Sequence, residues 1–419
     1  MKMSKFRTRL LEQWWRTKEF YDATYYVKFK QKMRLRAIRR KGRATVVLFA
    51  SNLSMWKLDE LYALLANDKR FDTHVVVLPF HSFSEEQKRS DIATMKRYLD
   101  NCGIPYIDDN TAYDIFRKGK ADIIFYPQPY YGLFNDPFDY HSHKGALLCY
   151  VPYALFTTDG WWGYNLNFHN VAWRLYYPSL MHKESALKWA TNRGKNIVTV
   201  GDIDYNKLYK PTNIVDVWRA QDSKKRRIIW APHHSFADGD MHRDSFTYMA
   251  NFMVSVAERY ADRIQFAFKP HPRLKSVLYA HPSWGPERTE EYYKRWETMP
   301  NCQVELGEYA NLFNSSDALI HDCGSFTALY QYTNKPALFV SKDIERVKRD
   351  LNDFGILCID KHYHAKDEAE IIAFIEDVVL RGDNTATEDT NEVVEVLTPP
   401  NGVSAAENIY NDIVQSLGI

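Results

Sequence analysis

Runs of consecutive apolar residues, separated by amphipathic stretches, dominate the first half of the chain. The apolar runs are "ATVVLFASN" (44–52), "HVVVLPF" (74–80) and "ADIIFYPQP" (121–129), and a helix-period stretch, "WKLDELYALLANDKR" (56–70), stands between the first two. Strands that are apolar without alternation are typical of a parallel sheet covered on both faces. The pattern therefore predicts a first α/β domain over residues 44–195.

A second series of the same kind follows along the chain. Its predicted helices are 245–263, 325–334 and 366–382, and its predicted strands lie in "NIVTVGDIDYNKL" (196–208), "RRIIWAP" (226–232), "IQFAFKP" (264–270), "ALIHD" (318–322), "PALFVS" (336–341) and "GILCID" (355–360). The alternation of strand and helix predicts a second Rossmann-like domain over residues 196–385. Residues 386–419 are expected to form a C-terminal helix that packs back on the first domain.

Polar motifs stand at the ends of three predicted strands of the second series. They are "IIWAPHHSF" (228–236), "FAFKPHPRL" (266–274) and "ALIHDCGSF" (318–326). In open α/β sheets, ligands bind outside the carboxyl ends of the strands. If two doubly wound domains face one another, these motifs line one side of the cleft between them.

The motif "KPHPR" holds a histidine between two prolines. Pro270 and Pro272 restrict the backbone on either side of His271, so its imidazole loses little entropy when a ligand binds. Such an imidazole can hydrogen-bond a phosphate oxygen or donate a proton to a departing phosphate, and Lys269 and Arg273 would add positive charge. A histidine that only shapes a turn is the alternative.

The other two motifs offer hydroxyl groups, imidazoles and backbone N–H groups. Gly324 opens a predicted helix and Ser325 lies in its first turn, which is an arrangement that binds anions. Asp322 either belongs to this site or caps the helix. Further expected contacts to the same ligand are His233, His234 and Ser235.

A metal site is the competing chemistry for these motifs. The stretch "DGDMHRD" follows "APHHSF" directly, and Asp238, Asp240 and His242 could join the histidines as ligands. The chain has no H-E-x-x-H motif and no fixed ligand spacing, so we expect no metal. It also lacks the signatures G-x-x-x-x-G-K-[ST], G-x-G-x-x-G and G-x-S-x-G, which argues against P-loop, nicotinamide and serine hydrolase chemistry.

Composition and charge narrow the setting. The five cysteines are scattered without a C-x-x-C pair, which favours a reducing cytoplasm, and no apolar stretch approaches the ~20 residues of a membrane span. Residues 1–43 hold 15 Lys and Arg against three acidic residues, interleaved with aromatic side chains. This basic helical segment predicts attachment to an anionic membrane surface, with a helix packed on its own domain and a nucleic-acid arm as alternatives.

In their order and spacing, the motifs resemble those of the CDP-glycerol glycerophosphotransferase family of teichoic acid and capsule synthesis. The resemblance rests on "VGDIDYNKL", "IIWAPHHSF", "FKPHPRL" and "LIHDCGSF…NKPALFV", and it covers residues 199–340. It implies two doubly wound domains of the GT-B type, on the inner face of the cell membrane. It also implies that His271 and the helix start at Gly324 and Ser325 bind the pyrophosphate of a CDP-linked donor.

The chain departs from the family pattern at two places. Leu329 stands where the family often has an acidic residue, and the first domain lacks an H-G-T-P-like loop, whose histidine is the family's acceptor base. The corresponding region reads "YVPYALFTTDGWWGYNLNFHN" (150–170). Its candidate bases are Asp159 and His169, and its candidate stacking platform is Trp161, Trp162 and Tyr164.

The expected function is therefore transfer of glycerol phosphate, or a similar polyol phosphate, from a CDP-linked donor to a hydroxyl of a glycan or lipid-linked acceptor. CMP would leave, stabilised by His271, Ser325 and one of His233 and His234, and no cofactor other than the donor is expected. The alternatives are a glycosyltransferase that uses a nucleotide sugar for capsule or lipopolysaccharide synthesis, a sugar-nucleotide epimerase, and a protein that only binds such ligands.

Overall fold

The computed structural model describes residues 25–108, 112, 114–116, 118–209, 211–235, 243–307, 309–383 and 391–419. These residues divide into two compact units. The first unit holds the described residues up to 154 together with Gly160–Ile203 and Pro399–Ile419, and the second holds Leu155–Asp159 and the described residues of Asp204–Thr398.

The first unit is built on a parallel sheet of seven strands in the order β3-β2-β1-β4-β5-β6-β7. The strands are β1 Ala44–Ala50, β2 Phe71–Val77, β3 Tyr106–Ile107, β4 Ile123–Tyr126, β5 Leu147–Tyr150, β6 Arg174–Tyr177 and β7 Ile197–Thr199. Every side chain of β4 and of β5 is buried, as expected for strands covered on both faces.

The helices of the first unit cover this sheet. They are α1 Val27–Lys41, α2 Asp59–Ala66, α3 Glu85–Asn101, α4 Trp161–Tyr164, α5 Asn167–Val171, α6 Leu180–Trp189 and, from the end of the chain, α17 Ala405–Leu417. Helix α17 begins with a capping box of Ser404 and Glu407 and buries Ile409 and Ile413 in the core of this unit. The C-terminal helix is therefore part of the first unit.

The second unit is built on a parallel sheet of six strands in the order β10-β9-β8-β11-β12-β13. The strands are β8 Arg226–Ala231, β9 Ile264–Phe268, β10 Cys302–Val304, β11 Ala318–His321, β12 Ala337–Val340 and β13 Tyr363–Ala365. Each sheet thus has the order 3-2-1-4-5-6 of a Rossmann fold, with β7 added to the first, and the predicted fold class is confirmed for each unit.

The helices of the second unit are α7 Tyr205–Leu208, α8 Ser245–Arg259, α9 Leu274–Ala280, α10 Gly285–Thr298, α11 Ala310–Ser315, α12 Gly324–Leu329, α13 Ile344–Arg349, α14 Asp353–Ile359, α15 Glu368–Ala373 and α16 Asn391–Leu397. A π-helical turn, Phe374–Arg381, continues α15. The core of this unit is rich in aromatic rings, and Phe268 stacks on Trp296 with their centroids 5.3 Å apart.

Two sequence predictions about this series need correction. The strand in "NIVTVGDIDYNKL" is β7, and its pairing with β6 moves the unit boundary from 195/196 to 203/204. "GILCID" is not a strand, because the side chain of Asn352 accepts the Gly355 N–H at 2.8 Å and starts α14 there. A short apolar run cannot by itself distinguish a buried helix from a strand. Strands β5, β6 and β10 were not predicted from the sequence.

The basic segment is not separate from the first unit. Helix α1 packs on that unit through Val27 and Ile38, and Gln31 donates to the Val171 carbonyl at 2.9 Å. Arg34 forms an ion pair with the buried Asp122 at 3.0 Å. Helix α1 therefore belongs to the first unit, and residues 1–24 of the predicted basic segment lie outside the described residues.

Candidate functional site

The three motif-bearing strands are neighbours in the second sheet. Strand β8 lies between β9 and β11, with Trp230 in register with Phe268 and Ala231 in register with His321. The loops that follow them leave the sheet at the same edge. The backbone N–H of His271 also donates to the Pro232 carbonyl at 3.0 Å, which ties two of these loops together.

Three imidazoles meet at this edge. The ring centroids of His233 and His234 are 4.2 Å apart, those of His234 and His271 are 4.2 Å apart, and those of His233 and His271 are 5.0 Å apart. One ring nitrogen from each lies within 4.8 Å of the others. The sequence separates His271 from the other two by more than thirty-five residues, and the sheet brings them together.

Backbone N–H groups determine which ring nitrogens carry a proton. His271 Nδ1 accepts from the Arg273 N–H at 3.1 Å, and His233 Nδ1 accepts from the Ser235 N–H at 3.3 Å. A neutral imidazole that accepts through Nδ1 is protonated at Nε2. These two rings therefore present N–H donors at Nε2, while the buried Nδ1 of His234 has no partner among the described residues.

The three imidazoles are held neutral. Burial, together with His234 and Arg273, lowers the pKa of His271 to about 3, and burial with Arg273 lowers that of His234 to about 4. The pKa of His233 is also far below its ordinary value, for the same reasons. An anion placed among the rings would favour the charged form again, so the cluster is electrostatically suited to bind one.

The spacing of the rings would also allow them to share a metal ion. A metal bound through Nε2 requires the proton on Nδ1, but Nδ1 of His271 and of His233 already accept backbone N–H groups. The donor set therefore suits a phosphate better than a metal. The alternative ligands Asp238, Asp240 and His242 lie outside the described residues.

Asp322 holds the loop of the histidine cluster in place through hydrogen bonds to backbone N–H groups. It is completely buried, and its carboxylate accepts the His233 N–H at 2.6 Å and the Ser245 N–H at 2.9 Å. One carboxylate oxygen is thus bonded to the loop after β8, and the other to the start of α8. Asp322 does not cap α12, because its carboxylate holds His233 and the start of α8 instead, and its predicted place in the donor site stays a prediction.

Lys269 also has a structural position. Its side chain is 6% exposed, and its Nζ donates to the Gly307 carbonyl at 2.7 Å. The ammonium group of Lys269 therefore binds the loop after β10, and this contact does not support the predicted role of Lys269 in donor binding. Arg273, in contrast, is exposed and close enough to His234 and His271 to lower the pKa of each.

Arg243 is a candidate site residue that the sequence interpretation missed. It is 5% exposed, and its Nε is buried without a hydrogen-bond partner among the described residues. Its Nη1 fills the space where a Cβ on Gly324 would stand, so the missing side chain of Gly324 lets the guanidinium approach α12. Thr157 Oγ1 lies 3.3 Å from the same Cβ position.

This arrangement adds a cation to the predicted hydroxyl and N–H donors. Ser325 is partly exposed at the start of α12, next to the guanidinium that Gly324 admits. A buried guanidinium without a full set of partners is a strong site for a bidentate anion. The only sign of Arg243 in the sequence was its place in "DGDMHRD", at the start of a predicted helix.

Comparisons with known proteins identify the fold. No protein-family model matches the chain, and no curated protein sequence matches it. Among solved structures, the wall teichoic acid polymerase TagF covers 96% of this chain and 99% of its own, with 12% identity and a TM-score of 0.58. The fold is of the GT-B type.

Two UDP-N-acetylglucosamine 2-epimerases have similar structures. One covers 90% of this chain and 96% of its own, with 15% identity and a TM-score of 0.55. The enzyme from Neisseria meningitidis, solved with UDP-GlcNAc bound, covers 89% of this chain and all of its own, with 13% identity and a TM-score of 0.54. At such identities the likeness establishes the fold alone.

The two candidate acceptor bases differ in position. Asp159 is partly buried and belongs to the second unit, where its N–H donates to the Asp350 carbonyl at 2.8 Å. His169 belongs to the first unit but is 1% exposed, its Nδ1 accepts the Leu166 N–H at 3.0 Å, and burial lowers its pKa to about 4. His169 therefore supports the start of α5, and its role as a base stays a prediction that its burial does not favour.

The candidate stacking platform is only partly available. Trp161 and Trp162 in α4 are exposed, whereas Tyr164 is buried with its ring 6.2 Å from that of Tyr177. Tyr164 is therefore a core residue of the first unit.

Among the described residues, none of the helices is both long and apolar enough to span a membrane.

Proposed function

We propose that this chain is a transferase that moves glycerol phosphate, or a similar polyol phosphate, from a CDP-linked donor to a hydroxyl group of a lipid-linked or glycan acceptor. The observation that carries the proposal is the meeting of His233, His234 and His271 at one sheet edge, with Nε2–H donors on two of the rings. The motif resemblance supplies the CDP-linked class of donor.

In the proposed reaction, the acceptor oxygen forms a bond to the β-phosphorus, and the bond from that phosphorus to the oxygen of CMP breaks. The imidazole N–H groups and Arg243 bind the phosphate oxygens, whose charge grows on the leaving side. The departing phosphate monoester is stable without an added proton, because its second pKa is ~6. His271 then acts as a hydrogen-bond donor, and no metal is required.

The proton of the acceptor hydroxyl goes to a base. Asp159 remains the candidate for that role, because the residue is partly exposed and follows Thr157 by two positions, and Thr157 is close to Gly324. We propose that Asp159 acts from the second unit, rather than from the first as the sequence interpretation had it.

The proposed setting is the inner face of a cell membrane, where a lipid-linked acceptor would be available. Helix α1 buries one face and exposes Phe29 and Met33 on the other, next to the exposed Tyr25 and Tyr26. Residues 25–43 contain nine Lys and Arg and no acidic residue. Aromatic and basic side chains together favour an anionic lipid surface over nucleic acid.

Two other functions would use the same phosphate site. A glycosyltransferase would attack the sugar carbon of a nucleotide sugar, and the structural likeness to epimerases over 90% of the chain favours a sugar-nucleotide epimerase as a second candidate. The enzymes differ in their products, because only the transferases consume an acceptor.

The test is donor turnover by the full-length protein. CDP-glycerol, CDP-ribitol, UDP-N-acetylglucosamine and a GDP-sugar are each incubated with and without a lipid-linked glycan acceptor, and CMP, sugar transfer and epimer formation are measured. Acceptor-dependent release of CMP supports the proposal. Sugar transfer with release of UDP or GDP, or epimer formation without acceptor, would replace it with the corresponding alternative.

A further inference from the structure

Three hydroxyl groups of the first unit are buried without a hydrogen-bond partner among the described residues: Ser51 Oγ, Thr73 Oγ1 and Tyr150 Oη. Two of them, on Ser51 and Tyr150, which are 2% and 1% exposed, stand at the carboxyl ends of their strands. Ser51 directly follows β1, and Tyr150 ends β5. Buried hydroxyls are nearly always bonded to protein, water or a ligand, so two orphans at the same sheet edge indicate a missing partner.

The register of the sheet places these hydroxyls on one face. Strand β4 separates β1 from β5, and it pairs Phe125 with Leu48 and Tyr126 with Tyr150. Because side chains alternate along strands, Ser51 and Gln128 continue the face of Tyr126 and Tyr150 beyond the strand ends. The carboxyl ends of three adjacent strands thus bring polar groups together.

Two further tyrosines complete this group. Tyr153 follows β5 and hydrogen-bonds Gln128, while Tyr130 follows β4 and is 38% exposed, which opens the group to solvent. The hydroxyls of Tyr130 and Tyr153 lie close enough to Tyr150 to raise its pKa further, beyond the effect of burial. We call Ser51, Gln128, Tyr130, Tyr150 and Tyr153 the hydroxyl cluster.

The chemistry of the hydroxyl cluster is uncharged. Its members offer four hydroxyls and one amide, each of which can both donate and accept hydrogen bonds. Burial raises the pKa of Tyr130 to about 12 and also raises those of Tyr150 and Tyr153, so the phenols keep their protons at neutral pH. Such a set suits a neutral ligand with several hydroxyls and an apolar face, rather than an anion.

We propose that the hydroxyl cluster binds a neutral polyol or sugar through its hydroxyl groups, with Ser51 and Tyr150 as the buried contacts. Describing this ligand as part of the acceptor rests on the proposed function; the binding itself does not. The phosphate site of the second unit and the hydroxyl cluster then recognise different parts of the substrates, one charged and one neutral.

The test uses the full-length protein and ligand-detected NMR with glycerol, ribitol, methyl β-D-glucopyranoside and N-acetylglucosamine, each titrated with and without pyrophosphate. The variants are Tyr150→Phe and Ser51→Ala, which remove only the orphan hydroxyls. The matched control is Tyr176→Phe, since the Tyr176 hydroxyl donates to Asp412 Oδ2 at 3.0 Å. Thermal unfolding is measured for all three variants.

The expected result separates binding from stability. Tyr150→Phe and Ser51→Ala should weaken the affinity for at least one probe about tenfold and leave Tm unchanged or higher, because an unpaired buried hydroxyl does not stabilise the fold. Tyr176→Phe should lower Tm and leave the affinity unchanged. Failure of every probe to bind, unchanged affinity in the variants, or a fall in their Tm like that of the control would overturn the proposal.

The outcomes also distinguish this proposal from the proposed function. Pyrophosphate binding is followed in the same samples and depends on the second unit. If pyrophosphate fails to bind while a neutral probe binds at the hydroxyl cluster, the proposed function is weakened and this inference stands. The reverse pattern overturns this inference and leaves the proposed function intact.

Discussion

Replacement of Gly324 by alanine tests the phosphate site without removing any of its groups. A Cβ at this position would overlap Nη1 of Arg243 and would lie 3.1 Å from its Cζ and 3.3 Å from Thr157 Oγ1. The guanidinium must retreat by about 1 Å to regain van der Waals separation. Because it is the flexible end of a long side chain, we expect a cost in folding free energy of only about 1 kcal/mol.

The effect on anion binding should be much larger. A retreat of that size stretches a hydrogen bond beyond its useful range, and a charge-assisted hydrogen bond contributes roughly 1.5–3 kcal/mol. We therefore expect Gly324→Ala to weaken pyrophosphate binding by about 10- to 100-fold, while Tm falls by only ~2–4 °C. Arg243→Gln should weaken binding to at least the same extent.

The assay is isothermal titration of pyrophosphate, paired with thermal unfolding. Gly145→Ala is the control, because a Cβ there would meet only Lys30 Cβ, at an ordinary 3.9 Å. Unchanged affinity in Gly324→Ala and Arg243→Gln would refute the assignment of Arg243 to the site. A Tm loss well above 10 °C in Gly324→Ala would show instead that the glycine serves packing.

Four further predictions follow from the same structure. His271→Ala should lower turnover by a factor on the order of 10² in a folded protein, and near-normal turnover would remove His271 from the site. Transfer should persist in EDTA, and loss that Mg²⁺ or Zn²⁺ reverses would require a metal site. The pKa of His271 is about 3 in the folded protein and ~6.5 in the unfolded chain, so its contribution to the free energy of unfolding is complete above pH 6.5 and is lost as pH falls toward 3, by up to about 1.4 kcal/mol per pH unit. His271→Gln should therefore flatten the dependence of Tm on pH in that range, and an unchanged dependence would contradict the burial of a neutral imidazole. The double variant Phe29→Ser/Met33→Ser should co-sediment less with phosphatidylglycerol vesicles than the native chain does, and high salt should reduce co-sedimentation of the native chain. The control Leu187→Ser should bind as the native chain does. Equal binding by all of these proteins would refute the assignment of α1 as a membrane-binding surface.

The sequence determined the class of fold because local patterns carry that information. Continuous apolar runs such as "ATVVLFA" and "IQFAF" can be buried on both faces only in a parallel sheet, and their alternation with helices leaves few topologies. The same reasoning gave a wrong prediction at "GILCID", where the side chain of Asn352 caps a helix. Strand β7 was assigned to the wrong unit because pairing partners are not written in the strand itself.

The sequence also placed polar motifs at strand ends, and His233, His234 and His271 could be selected there from residue type alone. Only the tertiary structure decided what each group does, because burial and hydrogen-bond partners come from distant segments. Asp322 is taken up by the N–H groups of His233 and Ser245, and Arg243 enters the site through the space that Gly324 leaves. Chemistry that depends on long-range contacts, such as a buried guanidinium or an orphan hydroxyl, has no signature in a single sequence.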